Sequence, residues 1–136
     1  MKNIILIIFF ASIFSTNAFS QWSNNNKGNL SNGKEAEVVW EKQNIDLGEL
    51  KQYNPKDVVF KFVNKGGKPI IITNAKGSCG CTEIEYSKKP ILPGKSTEII
   101  VTYDSETLGV FNKTVTLTMN IEKSKQILHI KGTVIN

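Results

Sequence analysis

The chain has 136 residues, 40% of them hydrophobic and 9% aromatic, which suits one globular domain and leaves little room for a second. All 17 basic residues are lysine, and 12 acidic residues leave a formal net charge of +5. Bidentate recognition of phosphate and of guanine relies on the arginine side chain, so its absence argues against nucleic-acid binding. Two cysteines exclude a disulfide-dense mini-protein and a multi-cysteine zinc module.

The first residues have the pattern of a secretory signal peptide. Lys2 precedes an apolar run from Ile4 to Phe14, and a short polar stretch then leads to the small residues Ala18 and Ser20. The run is well short of the roughly 20 apolar residues that a membrane span needs. We expect cleavage after residue 20 and no lipid anchor, because no cysteine lies at the junction. The mature protein is then periplasmic or secreted, with no membrane span.

The next segment, residues 21–35, is rich in Asn, Ser and Gly and has only two large apolar side chains, Trp22 and Leu30. This composition predicts a flexible N-terminal arm. Beyond it the apolar residues alternate with polar ones, and no stretch has convincing helical spacing. We therefore predict one domain of strands over residues 36–136.

Eight candidate strands follow one another between turn signals. Short strands at this spacing without helices predict an all-β fold, an Ig-like antiparallel β-sandwich of seven to eight strands. The candidate strands are Glu37–Glu41, Asn44–Leu50, Val58–Asn64, Pro69–Ala75, Cys81–Ser87, Thr97–Asp104, Val110–Ile121 and Lys125–Ile135. Alternation predicts an inward-facing set that forms one core, consisting of Val58, Phe60, Phe62, Ile84, Tyr86, Ile99, Val101, Tyr103, Val115, Leu117, Met119, Leu128, Ile130 and Val134.

Two short turns have a predicted structural role. Gly66 and Gly67 lie between the third and fourth candidate strands and turn one into the next. They lack the strand-to-helix setting of a phosphate-binding loop. Pro93 and Gly94 suit the two central positions of a type II turn, in which Gly94 takes a positive φ.

The most unusual segment is Gly77-Ser78-Cys79-Gly80-Cys81-Thr82, between two candidate strands. Alternation counted back from inward Ile84 places Cys81 on the outer face, and Cys79 shares that face if the chain is extended. Two residues of extended strand span about 6.6 Å, at the long end for disulfide-bonded Cα atoms. A bridge between the two cysteines therefore needs a bend, which Gly80 can supply.

Three interpretations of the cysteine pair stay open. A local disulfide between Cys79 and Cys81 pins a turn, in keeping with an oxidising compartment. Alternatively, the pair is redox-active or links to another protein. In the third interpretation the two thiolates bind copper as Cu(I), or form part of a zinc shell. Glu83 and Glu85 argue against a highly reactive thiolate, because nearby negative charge raises a thiol pKa.

No other residues indicate a catalytic site. His129 is the only histidine, and it alternates with inward Leu128 and Ile130, which predicts an outward position. A zinc site therefore lacks a second histidine, and a Ser-His-Asp arrangement has only this exposed residue to use as its base. We expect no enzymatic activity and no cofactor, with copper or zinc at the cysteine pair as the alternative.

The order of the motifs resembles family 1573 of the bacterial domains of unknown function. The resemblance extends from about Val39 to Val134, and the Cys-Gly-Cys-Thr segment with its downstream Pro-Gly turn makes it specific. It implies a secreted protein whose fold is similar to the Ig-like major-sperm-protein, PapD-like and Hydin-type domains. Those domains serve mainly as scaffolds or docking modules, which is an analogy at the level of the fold. The matching segments are Ile45–Leu50, Phe60–Ile70, Ser78–Thr82, Pro90–Lys95, Gly109–Lys113 and Ile130–Val134.

Two functions from different classes follow. The first is an extracytoplasmic, non-enzymatic Ig-like module that binds an unknown protein partner in the cell envelope through an exposed sheet edge or face. Trp22 and Trp40 are its candidate aromatic anchors. The second is a thiol redox or copper-handling protein that acts through Cys79 and Cys81.

Overall fold

The computed structural model describes residues 34–136, so the predicted signal peptide, most of the predicted arm and Trp22 lie outside the described residues. The predicted strands all have a counterpart here, with bounds that differ by at most three residues. None of the described residues forms a helix able to cross a membrane. Eight strands lie in the described part of the chain, namely β1 (Val38–Trp40), β2 (Asn44–Lys51), β3 (Lys56–Asn64), β4 (Ile72–Gly77), β5 (Thr82–Tyr86), β6 (Ser96–Tyr103), β7 (Gly109–Met119) and β8 (Lys125–Ile135).

The strands form two four-stranded sheets that enclose one core, which confirms the predicted Ig-like β-sandwich. Sheet A has the order β1-β3-β6-β5, and sheet B has the order β2-β8-β7-β4. The pairs are antiparallel except for β2 with β8, which run parallel. Parallel neighbours need a long connection, and the five strands between β2 and β8 in the chain supply it.

The core contains the predicted inward-facing residues. Those of β3, β6, β7 and β8 are buried, whereas Ile84 and Tyr86 of the edge strand β5 are half-buried and pack against the core. Trp40 is also half-buried, with its ring centroid 4.8 Å from that of Phe62. Its indole nitrogen donates to the side chain of Gln126 at 3.2 Å, so Trp40 joins the two sheets.

A fully buried polar side chain, Asn64, organises the turn after β3. Its Nδ2 atom donates to the carbonyls of Lys68 and Ile91 at 2.8 and 3.0 Å. Its Oδ1 atom accepts the Gly66 N–H at 2.9 Å. A Cβ on Gly67 would lie 2.7 Å from the Lys34 carbonyl oxygen, so the two glycines leave room for the incoming chain.

The turn at Pro93 and Gly94 packs beside this end of β3. Gly94 has a φ of 78°, and the Lys95 N–H donates to the Leu92 carbonyl at 3.0 Å, which is the geometry of a type II turn. The Gly94 N–H donates to the carbonyl of Asn64 at 2.7 Å. One asparagine thus connects both of the predicted turns.

Candidate functional site

The loop between β4 and β5, residues 78–81, holds both cysteines, and a disulfide joins Cys79 to Cys81. Their Cα atoms are 5.3 Å apart, closer than two residues of extended strand allow. The chain turns at Gly80, which brings the two side chains together. In this form of the protein the pair offers no free thiolate to a metal or to a substrate.

The prediction that Cys81 lies on the outer face is wrong. Cys81 is half-buried and packs against the core, and Cys79 is half-buried as well. Because β5 begins at Thr82, Cys81 belongs to the turn, where the alternation of a strand no longer applies. Glu83 and Glu85 lie within the strand and are exposed, as expected.

Both ends of the disulfide loop are fixed to neighbouring strands. At its start, the Ser78 N–H donates to the Thr114 carbonyl at 2.8 Å, and the Thr114 N–H donates to Ser78 Oγ at 3.1 Å. At its end, the Asp104 N–H donates to the Cys81 carbonyl at 3.2 Å. Thr114 belongs to sheet B and Asp104 follows β6 of sheet A, so the loop ties the two sheets together.

The start of β5 also explains a glycine in the motif. Thr82 Oγ1 is buried and has no hydrogen-bond partner among the described residues. A Cβ on Gly77 would overlap this hydroxyl, so only glycine lets β4 end so close to β5. The sequence contains no local signal for this contact, because the two residues lie in different sheets.

Strand β5 is the edge of sheet A, and its pairing with β6 determines which backbone groups stay free. The bond from Asp104 N–H to the Cys81 carbonyl makes these residues a hydrogen-bonded pair. Hydrogen-bonded pairs alternate along an antiparallel ladder, so Glu83 and Glu85 are the next ones bonded to β6. The residues whose N–H and C=O groups point to the open edge are therefore Thr82, Ile84 and Tyr86.

The hydrogen bonds between β6 and β3, on the other side of β6, lead to the same assignment of bonded and open residues. The Asn64 N–H donates to the Lys95 carbonyl at 2.9 Å, which makes these two a hydrogen-bonded pair between the ends of β3 and β6. Counting along β6, residues 97, 99, 101 and 103 bond to β3, which leaves 98, 100 and 102 for β5. Residues 100 and 102 are the partners of Glu85 and Glu83.

Of the four edge strands in residues 34–136, β5 is the regular one. Strand β1 has only three residues. Strands β2 and β4 each contain a register irregularity, between Asp46 and Glu49 and between Ile72 and Asn74. Natural sheets use short strands and bulges to block pairing with other chains. Strand β5 lacks both devices, since its five residues pair with β6 in unbroken register.

The outer face of sheet A beside β5 is acidic. Among the described residues, Lys61 is its one basic side chain, and Nζ lies 4.0 Å from carboxylate oxygens of Glu41 and Glu98. The chain as a whole is positively charged, so this face has the opposite sign. The acidic side chains on it are Glu41, Asp57, Glu83, Glu85 and Glu98.

On the outer face of sheet B, the irregularity in β2 is held by Asp46. The Gly48 N–H donates to its carboxylate at 2.9 Å, and Lys131 Nζ lies 3.4 Å away. The Gly48 hydrogen bond, together with Lys131, lowers the pKa of Asp46. Gly48 has a φ of 65°, which favours glycine at this point of the Ile45–Leu50 segment.

His129 lies on the same face, between Asn44 of β2 and Thr114 of β7. Within residues 34–136, no group of three or more His, Cys, Asp and Glu side chains is placed to hold a metal. Among these described residues, the cysteine pair therefore has no third side chain of this kind beside it.

Comparison with solved structures supports the fold alone. A protein of unknown function from Porphyromonas gingivalis W83 has a TM-score of 0.65 at 15% identity, covering 79% of this chain and 51% of its own. PapD-like domain 7 of human CEP192 has a TM-score of 0.60 at 7% identity, with coverage of 76% and 87%. The secreted serine protease VesC from Vibrio cholerae has a TM-score of 0.58 at 12% identity, with coverage of 73% and 23%. The chain thus spans about half the length of the Porphyromonas protein.

A search of curated proteins finds no match. A family model described as protein of unknown function (DUF1573) matches residues 38–134, from the start of β1 to the next-to-last residue of β8. The matched region includes the disulfide loop, the Gly-Gly turn and the Pro-Gly turn. The chain therefore belongs to the DUF1573 family, and its PapD-like neighbours agree with the fold observed here.

Proposed function

We propose that this protein is an extracytoplasmic, non-enzymatic Ig-like module that binds another protein of the cell envelope along β5. The regular open edge of β5 carries the proposal, because the backbone groups of Thr82, Ile84 and Tyr86 face away from β6. An extended segment of a partner can add to such an edge as a further strand, and its main-chain hydrogen bonds then supply affinity. The signal-peptide pattern supports the extracytoplasmic location.

The disulfide loop has a structural role in this proposal. Ser78 is bonded to sheet B and Cys81 to sheet A, and the disulfide shortens the loop between them. The first residue of β5 follows directly, so the loop limits how far the edge strand can move. An ordered edge loses less conformational entropy when a partner pairs with it.

The buried polar side chains support a non-enzymatic role. Asn64 and Ser105 are the fully buried polar residues in the described part of the chain. The Asn64 side chain and backbone hold the Gly-Gly turn and the Pro-Gly turn. The Ser105 hydroxyl accepts the Asn54 N–H at 3.0 Å and donates to the Lys51 carbonyl at 3.3 Å. Both side chains are thus committed to loop structure rather than to a cleft.

Site-specific photo-cross-linking in the producing cell tests the proposal. The photoreactive residue replaces Glu85, which is exposed beside the open edge, and the matched control replaces Asn112, which is exposed on sheet B. We expect a discrete heavier adduct from position 85 and none from position 112. The absence of an adduct at position 85, or the same adducts from both positions, would contradict docking along β5.

A further inference from the structure

We infer that the segment that pairs with β5 is a strand in which basic and apolar residues alternate. The inference rests on the proposed docking function and names the chemistry of the partner. A strand added beside β5 directs successive side chains to opposite faces of sheet A. One set meets the outer face, and the other set meets the flank of the core, so the two faces of β5 determine the pattern of the partner.

The outer face requires positive charge. Glu83 and Glu85 are exposed, and neither forms an ion pair with another residue in the described range. Glu98 on the adjacent strand β6 and Asp57 on β3, the next strand along, add to the negative charge. Opposite charges in cross-strand pairs stabilise a sheet, and like charges directly opposite destabilise it. Lysine or arginine is therefore the side chain that fits beside Glu83 and Glu85.

The inner face requires apolar side chains. Ile84 and Tyr86 point to the core and pack against it, but they stay half-buried because, within residues 34–136, sheet A has no strand beyond β5. Apolar residues of a partner would cover this flank and remove it from water, which is favourable in proportion to the area covered. Polar residues in those positions would instead lose their hydration without gaining a partner.

A second copy of this chain is a poor partner at the same edge. Antiparallel pairing of β5 with β5 brings Glu83 and Glu85 of one copy close to the same residues of the other. Those like charges oppose the pairing. The other edge strands in residues 34–136 are short or irregular, so the partner we infer is a different polypeptide.

Peptide binding to the mature protein tests the pattern. The probe is a dye-labelled peptide of about eight residues, near the usual strand length, with alternating Lys and Val. Its control has the same composition with the Lys and Val residues in separate blocks. Fluorescence anisotropy at low salt measures both affinities. We expect the alternating peptide to bind roughly tenfold more tightly, a difference of about 1.4 kcal/mol.

Charge-reversal variants locate the binding. In Glu83→Lys/Glu85→Lys we expect a loss of roughly tenfold in affinity for the Lys-Val peptide and a gain for the matching Glu-Val peptide. The control Glu49→Lys/Glu122→Lys makes the same charge change at exposed positions outside sheet A and should keep the affinity. Circular dichroism checks that both variants are folded.

Several results would overturn the inference. Equal binding of the alternating and blocked peptides, or equal losses in the two variants, would indicate general attraction between charges. A cross-link from position 85 to a partner segment without the alternating pattern would leave the docking function standing and reject only this chemistry. A cross-link to a second copy of the chain would identify self-association instead.

Discussion

Asn64 shows how one side chain at the end of a strand positions two turns. It is fully buried, and its amide bonds to Lys68, Ile91 and Gly66 while its backbone bonds to the turn at Gly94. The loss of a hydrogen bond to a buried backbone group lowers stability mainly because that group is left without a partner. The residue thus has more influence on the fold than its position in a polar turn motif indicates.

Replacing Asn64 with alanine should therefore be strongly destabilising. The Asn64→Ala variant leaves the Lys68 carbonyl and the Gly66 N–H without their partner, while the Ile91 carbonyl loses one of its two donors and keeps the Ile70 N–H. We expect a loss of about 3 kcal/mol in the free energy of unfolding. Urea unfolding of the wild type and the variant measures this difference. The control Asn74→Ala alters an exposed residue of β4 and should change stability by less than about 0.5 kcal/mol. Similar effects of the two substitutions would contradict the role of Asn64.

The environment of Tyr103 makes the free energy of unfolding depend on pH in the alkaline range. Its ring stacks on Phe111 with centroids 4.1 Å apart, and burial, with a smaller effect of Asp104, raises its pKa. The folded state thus favours the protonated phenol. Tyr103 therefore makes its full contribution to the free energy of unfolding below the ordinary tyrosine pKa of about 10. This contribution is lost as the pH rises through the raised pKa of Tyr103 in the folded state.

The Tyr103→Phe variant tests this dependence, because phenylalanine keeps the stacked ring and cannot ionise. We expect the wild type to lose more unfolding free energy than the variant as the pH rises above about 10. Urea unfolding at a series of alkaline pH values measures both losses. Parallel curves for the two proteins would show that Tyr103 does not contribute.

At the scale of the element, the disulfide loop and β5 form one unit. The loop joins the two sheets and leads directly into the open edge. The docking and thiol hypotheses assign different roles to this unit. In the docking hypothesis the disulfide orders the entry to β5, and in the thiol hypothesis its two sulfur atoms are the reactive groups.

The Cys79→Ser/Cys81→Ser variant separates the two hypotheses. A disulfide that closes so short a loop restricts the unfolded chain little, so we expect a loss of no more than about 2 kcal/mol in unfolding free energy. The cross-link from position 85 should persist. The control is wild-type protein in which a phosphine has reduced the disulfide, because it lacks the bridge but keeps both cysteine side chains. Complete loss of partner binding in a variant that is still folded would favour the thiol hypothesis.

The strands could be predicted from the sequence because alternation is a local property of the chain. Phe60 and Phe62, for example, are buried on the face that their spacing indicates. The burial of Cys81 could not be predicted, since the turn and its neighbours in both sheets determine it. The same holds for the parallel pairing of β2 with β8 and for the open edge of β5, which depend on contacts between strands distant in the chain.

At the scale of the whole molecule, the distribution of charge fits a docking module. The chain carries a formal net charge of +5, yet Lys61 is the one basic side chain that residues 34–136 place among the acidic ones on the outer face of sheet A. Exposed charges act over about one Debye length, roughly 10 Å at 0.1 M salt. The acidic face therefore attracts a basic partner near β5, although the net charge of the chain is positive.

Amide hydrogen exchange along β5 tests docking at this edge most directly. The exchange rate of each residue is measured with and without the alternating Lys-Val peptide. In the free protein the amides of Thr82, Ile84 and Tyr86 should exchange quickly and those of Glu83 and Glu85 slowly, because only the latter two bond to β6. On binding, the three open-edge amides should slow by roughly tenfold or more. Slow exchange of these amides in the free protein, or peptide binding that leaves them unchanged, would contradict docking along β5.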